Sequence, residues 1–244
     1  MSTPDAAGPR PDAVSLGDED AVKDVVWKSV LGLWDLINDL TRLQPSRRER
    51  YRVSIFGSAR ATSGSFAYEE TRRVAGALAE MGCDIITGGG PGLMQAANEG
   101  AASSPERARS VGIRVDLPFE QEVNAFVGLA FEHRTFFTRL HQFVLLSDAF
   151  LVAPGGIGTV LEMLMIWQLL QVRHLGDTPL ILVGRMWPGL VEWARASMLS
   201  TTPPLATAED MAIPRCVPTG DEAIALIRDH HARWLRRVGP ARGE

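Results

Sequence analysis

Two cysteines, Cys83 and Cys216, are all that the 244-residue chain contains. They stand far apart, each in or beside an expected strand, so they read as free core thiols rather than a disulfide framework. There is no CxxC, no HExxH and no cluster of histidines. With those spacings absent, no metal site is expected; no cofactor is expected either. A basic excess is missing too: 25 Lys and Arg against 29 Asp and Glu give a net charge of −4. No positive field advertises nucleic acid. No apolar run approaches the ~20 residues needed to span a membrane. Residues 1–17 are polar, rich in Pro, Ala and Asp, and hold no apolar h-region, so they read as a disordered tail and not a signal peptide. A soluble cytoplasmic protein follows as the expectation. The dinucleotide fingerprint GxGxxG and the Gly-Lys-Ser/Thr ending of a P-loop are both absent, which leaves a nicotinamide dehydrogenase or an ATPase with little support.

What the chain does have is alternation. After the tail, residues 18–43 carry Val22, Val25, Val26, Leu33, Trp34, Ile37 and Leu40 at three- and four-residue spacings, with Asp18-Glu19-Asp20 at the end where a helix dipole favours acid. This predicts a leading helix that packs on the domain or on a second subunit, followed by the charged linker 45–50. From Tyr51 onward strands and helices take turns. Strands are expected at 52–56, 84–87, 110–115, 129–132, 149–153, 179–183 and 211–217. Helices are expected at 66–81, 93–102, 135–146, after the glycines at 155–158, and at 190–199 and 221–236. The pattern predicts an α/β, Rossmann-like, doubly wound and mainly parallel sheet with helices on both faces, plus the N-terminal helix. The near-continuous apolar strands suit a sheet covered on both sides. A tail at 1–17, a helix and linker at 18–50 and one domain at 51–244 are the expected organisation.

Glycines gather where such a fold binds ligands, at the carboxyl ends of strands. Three expected strand ends carry small-residue loops: Gly57-Ser58, Gly88-Gly89-Gly90-Pro91-Gly92, and Gly155-Gly156-Ile157-Gly158. Pro154 to Glu162 joins a buried strand to an apolar helix through a glycine turn. Glycines let backbone approach a ligand, and a helix start offers free N–H groups to a phosphate. Thr159 adds a hydroxyl and Glu162 a carboxylate in the first helical turn. Thr159 to Glu162 is equally the T-x-x-E spacing of a capping box, a purely structural device. Arg139 lies on an otherwise apolar helix before the central strand, placed to reach the loops or to sit on an exposed stripe. Arg60 stands near the first loop. His133, Arg134 and His141 are less specific. Met94 and Met163 line a base pocket or fill the core. The six tryptophans read as packing residues.

At these residues the sequence resembles the LOG proteins, cytokinin riboside 5′-monophosphate phosphoribohydrolases historically misnamed lysine decarboxylases. Pro154 to Glu162 matches the pattern PGGxGTxxE at every defined position. Gly88-Gly89-Gly90-Pro91-Gly92-Leu93-Met94 resembles the second signature in the shorter form of bacterial nucleotide nucleosidases. Arg139 stands fifteen positions before Pro154, where the family carries its arginine. The likeness runs from about Val53 to the C-terminal helix. Leu140, Phe143 and Leu161 depart from the residues common in the family, which bears on base specificity. No pyridoxal-phosphate site is visible.

The resemblance implies hydrolysis of the N-glycosidic bond of a purine, or cytokinin-type, nucleoside 5′-monophosphate such as AMP. Glu162 and Arg139 would be catalytic. Ser58, Gly88, Gly89, Gly90, Gly92, Met94, Gly155, Gly156, Gly158 and Thr159 would bind substrate and phosphate. It also implies a homodimer, with the arginine-bearing helix and the helix after the motif near the interface. An alternative is a nucleotide-binding or molybdenum-cofactor carrier protein without hydrolysis, since those carriers share the cradle. A nucleotide sensor acting through the N-terminal helix is a third reading.

Overall fold

The computed structural model describes residues 14, 15, 17–41, 50–115 and 123–238. The expected tail, apart from residues 14, 15 and 17, and the linker residues 45–49 lie outside them. The chain divides into two compact units, Met1–Ser46 and Arg47–Glu244. In the first, helix α1 (Glu19–Thr41) starts where Asp18 accepts a hydrogen bond from Ala21 N (3.1 Å). Lys28 pairs with Asp24 one turn back at 2.6 Å.

The second unit alternates strand and helix: β1 (Arg52–Phe56), α2 (Phe66–Glu80), β2 (Asp84–Thr87), α3 (Leu93–Ala102), β3 (Ser110–Val115), β4 (Leu129–His133), α4 (Phe136–Leu146), β5 (Ala149–Val152), α5 (Ile157–Gln171), β6 (Leu180–Val183), α6 (Trp187–Leu199), β7 (Pro214–Val217) and α7 (Gly220–Val238). The seven strands form one sheet in the order β4-β3-β2-β1-β5-β6-β7. Every pairing is parallel. The expected doubly wound sheet is therefore the observed one, and its order reverses between β1 and β5.

Strand period sorts the core into two layers. Val53 and Ile55 of β1 and Ile85 of β2 join Val74 and Leu78 of α2, Ala97 and Ala101 of α3 and Ile227 of α7 on one face. Phe56 and Ile86, one residue out of phase, join Phe143 of α4, Met163 and Ile166 of α5 and Trp187 of α6 on the other. Helices α4 and α5 thus share a face, which lets a side chain from each meet above the sheet edge.

Most boundaries fall within a residue or two of the sequence expectation, and three of the differences have a visible cause or consequence. Helix α6 begins at Trp187 rather than near Leu190, because Pro188 fits a first turn whose N–H has no intrahelical partner. The segment expected as strand from Met211 opens instead as a 3-10 turn, Asp210–Ala212, before β7. Thr207 and Asp210 close that turn reciprocally, Thr207 N on Asp210 Oδ2 (2.7 Å) and Asp210 N on Thr207 Oγ1 (3.2 Å). Strand β5 ends at Val152, although Ala153 N still bonds Phe56 O (2.8 Å).

Helices α2 and α3 cross closely enough that a Cβ on Gly100 would strike the Arg72 carbonyl and lie 2.9 Å from Gly76 N. Backbone cannot retreat as a flexible side chain does. Gly100→Ala is expected to cost about 1–3 kcal/mol by overpacking. Gly189→Ala, in an exposed helical position with open space at its Cβ, should be neutral or stabilising by up to about 1 kcal/mol. Urea midpoints of the two variants check both signs.

Candidate active site

The three small-residue loops meet at the reversal of strand order. Ser58 N donates to Pro154 O (3.0 Å), tying the loop after β1 to the loop after β5. Leu93 N donates to Ser58 O (2.8 Å), tying in the loop after β2. The last approach requires glycine at 92: its φ is +68°, and a Cβ there would run into the backbone of Ser58 and Ala59. Ser58 Oγ accepts from Arg60 N (3.1 Å), while the Arg60 side chain is exposed. Ser58 therefore joins the loops through its backbone.

Helix α5 is capped at Gly156, not at Thr159. Gly156 is its N-cap, with no side-chain cap, and Val160 N to Gly156 O (3.0 Å) is the first intrahelical bond. The N–H groups of Ile157, Gly158 and Thr159 precede that bond and have no partner within the helix. Thr159 is the third helical residue, buried, with its side chain turned into the space that a Cβ on Gly155 would take. The capping-box alternative falls for this reason. Glu162 stands in the second turn, one turn deeper than the spacing suggests. Gly156 and Gly158 are exposed, and a Cβ on either would meet nothing. Among the described residues, nothing in the packing demands their smallness.

Glu162 meets Arg139 of α4. Arg139 Nη1 lies 3.5 Å from Glu162 Oε1, and the two side chains are 10% and 13% exposed. The exposed-stripe alternative for Arg139 is thereby overturned. Arg139 Nε donates to Ile113 O of β3 (2.9 Å). A Cβ on Gly88 would strike Arg139 Nη2 and come 2.7 Å from Met94 Sδ. Gly88 and Met94 thus wall the guanidinium, and Met94 Cε also lies near Gly90. Burial pushes the Glu162 carboxyl up to about 7, and the positive charge of Arg139 opposes part of that rise.

A polar network that sequence reasoning missed holds the glycine loop after β2. Asn124 Nδ2 reaches Gly89 O, Gly90 O and Asn98 Oδ1, each at 3.0 Å. Asn98 is fully buried on α3 and bonds Thr87 Oγ1 (2.6 Å) and Ser110 Oγ (2.9 Å). Thr87 Oγ1 in turn accepts from Gly89 N (2.9 Å). A lone Asn among the buried Ala96, Ala97, Gly100 and Ala101 of α3 was the available signal, because a buried amide demands partners. Gly89 needs its glycine as well, at φ +74°.

The remaining candidates lie apart from the pair. His133 bonds Gln142, and Arg134 is exposed. His141 is half-buried, and burial lowers its pKa, as does nearby His174. Met163 is fully buried in the core layer of α5, so the base-pocket alternative for it fails. Leu140 and Phe143 are buried and Leu161 is half exposed on α5. The first two departures from the family residues therefore alter packing, not the open crevice. Cys83 and Cys216 are both free thiols, one buried and one half-buried.

The carboxyl of Glu162 makes stability depend on pH in a set direction. Its folded pKa of about 7 exceeds the ordinary 4.5. The folded state thus holds a proton that the unfolded state releases between those values. This contribution is complete below pH 4.5 and is lost as pH rises through 7. Wild type should lose stability relative to Glu162→Gln between pH 5 and pH 8, by at most about 3 kcal/mol. Urea denaturation of both proteins at the two pH values reads the difference, and an unchanged gap overturns it.

Comparison with known proteins places the fold. The molybdenum cofactor binding protein of Rippkaea orientalis is 19% identical, with a TM-score of 0.57, covering 75% of this chain and 98% of its own. The molybdenum cofactor carrier protein of Chlamydomonas reinhardtii is 16% identical, also at 0.57, covering 75% and 99%. At such identities the likeness is one of fold. No curated protein matches in sequence. Among the described residues, no helix is long and apolar enough to cross a membrane. The profile of a family described as "possible lysine decarboxylase" matches residues 94–227, more than half of the sequence; the chain belongs to this family, which is the LOG family.

Proposed function

We propose that the protein hydrolyses the N-glycosidic bond of purine nucleoside 5′-monophosphates, with AMP as the reference substrate, to free base and ribose 5-phosphate. The observation that carries this reading is the buried Arg139–Glu162 pair standing next to an uncapped helix start. The 5′-phosphate sits on the N–H groups at Gly155–Thr159, where the α5 dipole favours negative charge and the open faces of Gly156 and Gly158 admit it. Anchoring there fixes C1′ against Glu162. As the bond from C1′ to the base nitrogen breaks, its electron pair leaves with the base and positive charge builds on the ribose ring. The Glu162 carboxylate stabilises that charge and takes the proton of the attacking water, whose oxygen bonds C1′; that proton then passes by way of solvent to the departed base nitrogen, which restores the carboxylate. Arg139 steadies the departing base. Gly88 to Met94 shapes the sugar and base side.

The fold likeness to molybdenum-cofactor carriers supports a second reading, binding without hydrolysis. The two are separated by base release from a panel of nucleoside monophosphates that includes AMP and isopentenyl-AMP. Wild type should release base, with kcat/KM rising as pH climbs through about 7, the point at which Glu162 becomes a carboxylate. Glu162→Gln should lose at least about a hundredfold in kcat while still binding AMP. Binding with no release from any nucleotide would favour the carrier.

We also propose that the active form is a homodimer joined at α4 and α5. Phe136 and Phe137 on α4, and Ile157, Leu161 and Leu164 on α5, are exposed apolar side chains on neighbouring helices. Large apolar patches of this kind are rare on monomers. Light scattering should give twice the chain mass, and Leu161→Asp together with Leu164→Asp should give a single chain. A wild-type monomer at micromolar concentration would remove the proposal.

A further inference from the structure

The contact between Arg139 and Glu162 is not what fixes the guanidinium. At 3.5 Å, Nη1 and Oε1 are too far apart for a good hydrogen bond. Arg139 is held from other sides. Its Nε is bonded to Ile113 O, and Nη2 abuts Gly88. The remaining support is aromatic. The guanidinium carbon lies 5.5 Å from the centroid of the Phe143 ring, one helical turn further along α4. Residues so spaced are neighbours on a helix surface. Phe143 is fully buried and cannot swing away. Phe56 meets its ring edge-on at 5.0 Å and 76°, and Phe56 stacks on Phe150 at 6.0 Å and 19°. An aromatic row rising from β5 and β1 thus ends beneath the cation.

We propose that Phe143 is a positioning residue, whose fixed ring carries the Arg139 guanidinium and so keeps its charge beside Glu162. The negative face of the ring attracts the cation, and the attraction is strongest where water is excluded. Among the described residues, Arg139 is the one charged side chain that acts on the Glu162 carboxyl. A displaced guanidinium leaves burial unopposed and drives the carboxyl further up. The catalytic consequence rests on the hydrolase reading, whereas the electrostatic consequence does not.

The test is a 13C NMR titration of Glu162 in the ligand-free, full-length protein labelled at the glutamate carboxyl. Phe143→Leu should raise the Glu162 pKa by about half a unit or more. Phenylalanine carrying increasing numbers of ring fluorines at 143 keeps the side chain close to its natural size while draining the negative face. It should raise the pKa in graded steps even if the leucine variant folds poorly. Phe150→Leu, in the same aromatic row but away from Arg139, should lower stability and leave the Glu162 titration in place. With AMP, Phe143→Leu should lose about ten- to hundredfold in kcat with little change in KM. An unmoved Glu162 titration in both the leucine and the fluorinated proteins overturns the proposal. A shifted titration in a protein that releases no base upholds Phe143 and counts against the hydrolase alone.

Discussion

A carboxylate and a guanidinium occupy a space that water scarcely enters, and much of the carboxyl edge of the sheet is arranged around them. Removing either charge from water is costly, and the attraction between them repays that cost only in good geometry. Here the geometry is loose, at 3.5 Å, so neighbouring elements supply the order. Strand β3 lends a carbonyl, the loop after β2 lends a glycine with no Cβ to obstruct, and α5 delivers the acid from its second turn. Because α4 and α5 pack on one face of the sheet, the two residues converge although they lie 23 positions apart in sequence. The imperfect pairing leaves burial as the stronger influence on Glu162. An acid poised near neutrality follows from that imbalance.

The parts legible in the sequence were those set by local pattern. Alternation of apolar runs with helical spacings gave the sheet and its helices, since a strand buried on both faces and an amphipathic helix leave different periods. The glycine loops stood out because few other contexts ask for so many glycines at strand ends. Arg139 and Glu162 were legible as candidates, but their contact was not. Local spacing also misled. Thr159 and Glu162 fit a capping box, yet a helix starts where the backbone turns, and the Gly155-Gly156 turn starts this one three residues earlier. Asn98 and Asn124 were illegible for a related reason. Each is an ordinary amide in sequence, and each gains its part only through partners 11 to 35 positions away.

The arrangement at the start of α5 separates what the fold needs from what a ligand needs. Gly92 and Gly155 are demanded by the chain itself, the first by φ and a close backbone, the second by the Thr159 side chain. Gly156 and Gly158 are demanded by neither. Gly158 lies inside the helix, where glycine costs propensity, and it relieves no crowding among the described residues, so its open face suits the close approach of the proposed ligand. The uncapped N–H groups beside the two glycines favour negative charge at that place.

Such a cradle alone does not distinguish holding a phosphorylated ligand from acting on one. The acid does. A carrier binds its cargo with donors and shape, and a carboxylate near an anionic ligand would weaken that binding. To desolvate the carboxylate as well would destabilise the folded protein at neutral pH without strengthening the grip. A hydrolase has use for both features. Its transition state carries positive charge on the sugar, and a base poised near the working pH accepts the proton of water most effectively. The burial that makes Glu162 costly to ionise is the same burial that brings it close to neutrality. The cost and the reactivity are one property of the site, and the proposed hydrolysis would use both.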